Sequence, residues 1–196
     1  MNKDQLSELL YQTLETTVTG MQVYSTAIPY AQNTDLKQEW QTCLRQRQAN
    51  EKIIREVLAR MGLDPGIDTL GRQILRHMGT ALIEAMTLAL KGINSLGAQL
   101  VATESVEMIE TKNHRNWELI GLAAVQVQGE EGQALKEAYE RVLDAENERL
   151  YLSMGWTRGL WLDSLGLQTV LPPSPEVKVF QTGVAQPEQV AQKLML

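Results

Sequence analysis

The chain has 196 residues, and 18 Lys+Arg against 24 Asp+Glu leave a formal net charge of −6. A mix of 43% hydrophobic and 21% charged residues excludes a disordered chain; no basic n-region with an apolar h-region opens the sequence, and no apolar run is long enough for a membrane span. The lone Cys43 excludes a disulfide framework or CxxC site, and acidic balance without a Lys/Arg run argues against nucleic acid as partner, so the expectation is a soluble, cytoplasmic protein without membrane insertion.

Leu, Ala, Gln and Glu are abundant and β-branched runs with period two are nearly absent, so the fold class is all-α. The first predicted helix runs from Lys3 to Tyr30, with Asn2 as its cap and an apolar row Leu6, Leu10, Leu14, Met21, Tyr24, Ile28. Pro29 closes it, and Thr34 or Asp35 is expected to cap the second helix, Asp35 to Met61, which stops at Gly62. The loop GLDPGID leads to a third helix from Thr69 to Ile93. The fourth runs from Ser95 to Val127, stopping near Gly129, and the fifth from Glu131 to Leu165, with a bend expected at Gly155 or Gly159. Beyond Gly166 the texture changes: LPPSPEVKVFQTGVAQPEQ carries four of the six prolines and no helical period. The expected division is therefore residues 1–168 as a helical bundle and 169–196 as an extended tail, with a short helix from Pro187 to Leu194. Long helices joined by short loops predict an antiparallel four-helix bundle with the third helix on the crossover; an α-solenoid would need repeats that are missing.

Helical wheels, advancing about 100° per residue, place polar residues at mid-length on the inward faces. The second helix buries Leu36, Trp40, Cys43, Ile54, Leu58 and Met61, with Arg47 at the centre of that stripe and Asn50 and Glu51 beside it. The fourth reads Leu96, Leu100, Val125, with Glu107, His114 and Glu118 at its central turns and Glu110 nearby. The fifth reads Leu135, Val142, Leu160, interrupted by Glu146 and Arg149. On the first, Thr13 and Thr17 are the inward polar residues and Glu15 falls on the solvated side. A lone buried charge costs several kcal/mol and persists when paired or when it ligates a metal, so coincident interruptions predict one shared polar centre. His77 is expected to be a core histidine beside Ile74 and Ala81. The tryptophans and methionines are expected to pack, and Cys43 to be buried and inert.

The segments GRQILRHMG (Gly71 to Gly79), ETKNHRNWELIG (Glu110 to Gly121) and AENERLYLSMGWTRGLWLDSLGL near the end of the fifth helix resemble bacterial ferritin-like, rubrerythrin-like proteins over about residues 3 to 173. That resemblance implies a four-helix bundle holding two iron or manganese ions through inward carboxylates and Glu-x-x-His pairs. Against that pattern Arg149 stands where His is called for, Arg47 stands in a Glu position, Asn50 in a His position, and Thr17 where the first helix would supply its carboxylate. Arginine neither deprotonates nor ligates metal. The centre therefore reads as metal-free, without cofactor, with Arg47 and Arg149 against Glu107, Glu110 and Glu146; if any metal binds, the candidate ligands are Glu107, Glu110, His114 and Glu146.

Three functional classes stay open. The first is a non-catalytic ferritin-like bundle acting by association, expected as a homodimer. The second is a di-iron or di-manganese oxidoreductase with an unusual ligand set that adds Glu51. The third is a metal-independent enzyme or binder of an unknown small molecule, with His114 and Glu118 as acid and base. The tail, carrying Val177, Val179, Phe180, Val184, Val190, Leu194 and Met195 among its prolines, is too apolar for a solvated linker and is expected to pack as a strap.

Overall fold

Asparagines start three of the helices, because a short side-chain acceptor satisfies the backbone N–H groups that the first turn leaves unpaired. Asn2 Oδ1 accepts from Gln5 N (3.2 Å), and Asn94 Oδ1 from Gly97 N (2.8 Å). Asn33 Oδ1 accepts from the backbone of Asp35 (2.8 Å) and Leu36 (3.2 Å), so Asn33 caps the second helix and Thr34 is already helical. In the computed structural model, which describes residues 1–92 and 94–173, these caps open α1 (Lys3–Ala27), α2 (Thr34–Arg60) and α4 (Ser95–Gln126); α3 spans Leu70–Gly92 and α5 spans Gly129–Ser164. Pro29 ends α1 early and a 3₁₀ turn, Ile28–Tyr30, follows it. The fold is all-α, with no strand among the described residues, and among them no helix is long and apolar enough to cross a membrane.

Side-chain pairs fix the directions. Arg60–Glu137, Glu56–Arg141, Asn50–Glu146 and Gln46–Arg149 climb α5 as they descend α2, so these helices are antiparallel. Thr16–Asn116 and Tyr24–Glu110 set α1 antiparallel to α4, and Asn113–Glu146 with Glu104–Trp161 do the same for α4 and α5. The helices α1, α2, α5 and α4 close a ring of contacts, and α3 lies outside it, packed on α1 and α4.

Two apolar clusters fill the ring. One gathers Tyr24, Ala27, Leu36, Trp40, Val106, Trp156 and Leu160, with Met86 from α3. The other gathers Leu10, Leu14, Ile54, Leu58, Trp117, Leu135 and Val142. Each large side chain so buried contributes about 1.5–3 kcal/mol. A polar layer lies between the clusters.

The structure corrects several expectations. The buried face of α4 runs through Ala102, Val106, Glu110, Asn113, Trp117 and Ile120, about one residue round the helix from the expected one, and leaves Leu96 and Val125 exposed. On α3, Leu75, Gly79, Met86 and Ala89 face inward, while Ile74, His77 and Ala81 are exposed; His77 is no core histidine. Glu15 is buried, because α3 covers the side of α1 that a one-sided wheel assigns to solvent. Trp161 is half out of the core that holds Trp40, Trp117 and Trp156, and its indole donates to Glu104.

The helix α5 runs unbroken through Gly155 and Gly159. After Gly166 the chain turns back along α5, and a Cβ at Gly159 would stand 2.4 Å from Leu171 Cδ2, and one at Gly155 2.7 Å from Pro173 Cβ. These glycines make room for the returning segment. Ile93, the expected last residue of the third helix, and the expected strap and short helix of residues 174–196 lie outside the described residues.

Candidate functional site

At mid-bundle, α1 presents threonines that bond to their own helix: Thr13 Oγ1 donates to Leu9 O (2.7 Å), Thr16 Oγ1 to Gln12 O (2.7 Å) and Thr17 Oγ1 to Thr13 O (2.9 Å). Their hydroxyls are thereby satisfied without a ligand. One turn on, Gly20 leaves a flat place on the helix, and Arg47 of α2 fills it.

Four charged side chains from α2, α4 and α5 meet there, all essentially excluded from solvent. The Arg47 guanidinium takes Glu110 side-on: Nε donates to Oε1 (3.2 Å), and Nη2 lies 2.8 Å from Oε2, a charge contact whose angle falls short of a hydrogen bond. The Tyr24 hydroxyl donates to the same Oε1 (2.7 Å). Arg149 bonds Glu146 one turn before it, donates from Nη1 to Gln46 Oε1 (2.9 Å), and holds its Nε 3.7 Å from Glu110 Oε2. Glu146 is completed by the Asn50 amide on Oε1 (2.7 Å) and the Asn113 amide on Oε2 (2.5 Å). Two guanidiniums and two carboxylates form a neutral tetrad, which is how buried charge is tolerated.

The two carboxyls are held apart electrostatically. Burial pushes Glu110 up, but Arg47 and Arg149 outweigh it, and the group stays below the usual carboxylate range. For Glu146 burial dominates, the arginines offset it in part, and the charge on Glu110 adds to the rise. Burial and then Glu110 raise the Tyr24 hydroxyl well above its ordinary value, and burial with Glu110 pushes the Cys43 thiol up to about 12. Neither is a nucleophile at neutral pH. Within the enclosure Arg47 Nη1 and Asn113 Oδ1 have no hydrogen-bonding protein partner.

Of the residues singled out from sequence, the structure brings Arg47, Asn50, Glu110, Glu146 and Arg149 together, with Thr17 buried in the same layer. It does not bring in the rest. Glu51 is on the outer side of α2, paired with Arg55 (2.7 Å). Glu107 is half-buried on the neighbouring face of α4 and makes no ion pair with either arginine. His114 is half-buried on that face, its Nδ1 enclosed without a partner, and Glu118 pairs with Arg115 (2.8 Å). Tyr24, Gly20 and Asn113 belong to the centre and were not anticipated. A second cluster, around the buried Glu15, was also missed: Glu15 receives Arg72 Nε (3.0 Å) and the half-exposed Arg76 Nε (3.0 Å), and Arg72 Nη1 reaches the carbonyl of Pro65 (2.8 Å), fastening the loop before α3 to α1.

The centre does not fit a di-metal site. Its carboxylates, Glu110 and Glu146, are taken up by guanidinium and amide donors, Arg47 and Arg149 can ligate no metal, and Glu107 and His114 sit a face away. Among the described residues no three of His, Cys, Asp and Glu converge as a ligand group, so the candidate quartet Glu107, Glu110, His114 and Glu146 is not assembled.

The chain matches no protein-family model, no curated protein and no solved structure.

Proposed function

We propose that this chain is a ferritin-like, rubrerythrin-like four-helix bundle in which an Arg–Glu tetrad replaces the di-metal centre, and that it acts by association rather than catalysis. The observation that carries this reading is the neutral, solvent-excluded group Arg47, Glu110, Glu146 and Arg149. Two fixed guanidiniums supply beside the carboxylates the positive charge that metal ions bring in such bundles. The ring of α1, α2, α5 and α4 supports the bundle assignment. So does the common direction of α2 and α4, which demands a long crossover of the kind α3 provides.

The association half of the proposal draws on α3, whose outward face exposes Leu70, Ile74, Met78 and Leu88. A soluble monomer seldom leaves such a stripe open, and a homodimer is the proposed assembly. Restoring ligands tests the replacement: Arg47→Glu, Asn50→His and Arg149→His together should gain iron or manganese, with circular dichroism confirming that the helices persist. Full metal loading by Arg149→His alone would overturn the ligand assignment, and so would a folded triple variant that binds none.

A further inference from the structure

The helix α3 begins beside Glu8, where Thr69 Oγ1 donates to Glu8 Oε1 (3.2 Å), and then follows α1 away from its N-terminus. The seam between the first half of α1 and the last half of α4 is therefore left uncovered. It forms a groove of about 570 Å³, within the size range of small-molecule sites. An apolar strip runs along it, Leu6 and Leu9 from α1 and Leu119, Leu122 and Ala123 from α4, with Leu119 and Leu122 exposed and with Asn2, Gln5, Gln12 and Gln126 also in the lining.

The mid-bundle end of the groove is different. Lys112 is half-buried there, and its Nζ donates to Asn116 Oδ1 (2.5 Å). Asn116 is fully buried and anchored by its own amide on Thr16 Oγ1 (3.2 Å), so the contact is rigidly placed. An ammonium has three donors, and no described carboxylate lies within ion-pair distance of this one. Burial alone lowers its pKa, with no acidic neighbour opposing. The carboxylate in the lining, Glu8, is engaged by Gln12 Nε2 (2.9 Å) and Thr69 instead. From Lys112 to Gln126 the groove follows α4 for about 21 Å at 1.5 Å per residue, a length suited to a long acyl chain.

An apolar strip ending at a cation without a counter-ion is complementary to an aliphatic chain ending in a carboxylate. We propose that the α1–α4 groove binds a long-chain fatty acid, its carboxylate on Lys112 and its chain along Leu9, Leu119 and Leu122. The site is independent of the buried tetrad and of any metal.

The test is calorimetric titration of the full chain with palmitate and with hexadecanol, which has the same chain without the charge. Wild type should bind palmitate saturably, one per chain. Lys112→Gln should weaken palmitate about ten-fold or more while leaving hexadecanol unchanged, and Leu122→Glu should weaken both. Both positions are partly exposed, and unchanged melting curves would confirm folding. No saturable palmitate binding, or equal palmitate affinity in Lys112→Gln, would overturn the proposal. So would a Leu122→Glu variant that loses dimer while wild type binds no palmitate, because the groove would then be a protein interface.

Discussion

The Arg47 guanidinium lies against the α1 backbone at Gly20: a Cβ added there would stand 3.0 Å from Arg47 Cζ and 3.0 Å from Nη1. The bundle can hold a fully buried arginine at this height because the facing helix has no side chain. Replacing Gly by Ala inside a helix ordinarily stabilises by about 1 kcal/mol. At Gly20 that gain should vanish against the clash, and Gly20→Val should destabilise by about 2–3 kcal/mol, read from urea unfolding. A gain in either variant would mean that Arg47 is placed elsewhere.

Removing one member of the tetrad should be worse than removing a matched pair. Arg149→Ala leaves Glu146 and Glu110 under-compensated and should cost about 3–5 kcal/mol. Arg47→Met combined with Glu110→Gln keeps the layer neutral and should cost less than the sum of the single changes. Additive losses in the double-mutant cycle would show the two are uncoupled.

The two glutamates should give opposite pH signatures. Glu110 is depressed below its unfolded value of about 4.3, so its contribution is complete above that value and is lost as pH falls through the native one. Glu146 is raised, so its contribution is complete below about 4.3 and is lost as pH rises through its native value. The deficit of Glu110→Gln relative to wild type should therefore grow as pH rises from strong acid toward about 4.3, and that of Glu146→Gln should shrink as pH rises above that value. Parallel stability profiles for the two variants would contradict this.

Glu15→Ala should cost about 1–3 kcal/mol, because it strands Arg72 beneath the loop that precedes α3. Amide exchange should quicken around Asp64 to Leu70 first. A loss below about 0.5 kcal/mol, the usual result at a solvated position, would return Glu15 to the surface.

Cys43 should resist a thiol reagent at neutral pH in the native protein and react in urea, since the buried thiol titrates only at about 12. Rapid native labelling would mean that the layer around Tyr24 opens.

Arg47, Asn50, Glu146 and Arg149 were legible in the sequence because each interrupts a strongly apolar stripe, Leu36–Trp40–Cys43 to Ile54–Leu58 on α2 and Leu135–Val142–Leu160 on α5. The face of α4 was not legible. Its buried side mixes Val106, Ile109, Trp117 and Ile120 with small and polar residues, Gln99, Ala102, Thr103, Asn113 and Asn116, while Met108, Leu119, Leu122 and Val125 stay outside. Hydropathy therefore points to the wrong side and selects Glu107, His114 and Glu118. Glu15 was misplaced for a related reason: α1 is covered on two sides, and a wheel read for one buried face leaves the second to solvent. Tyr24 looked like an ordinary member of an apolar row, and nothing in local spacing marks Gly20, whose meaning comes from an arginine on another helix.

Elemental analysis combined with native mass spectrometry, on protein produced with iron and manganese supplied, tests the proposed replacement of metal by arginine most directly. The neutral tetrad should leave the chain without a stoichiometric transition metal, at the mass of the polypeptide assembly alone. A pair of iron or manganese ions retained per chain would show that Arg47 and Arg149 do not stand in for a metal centre.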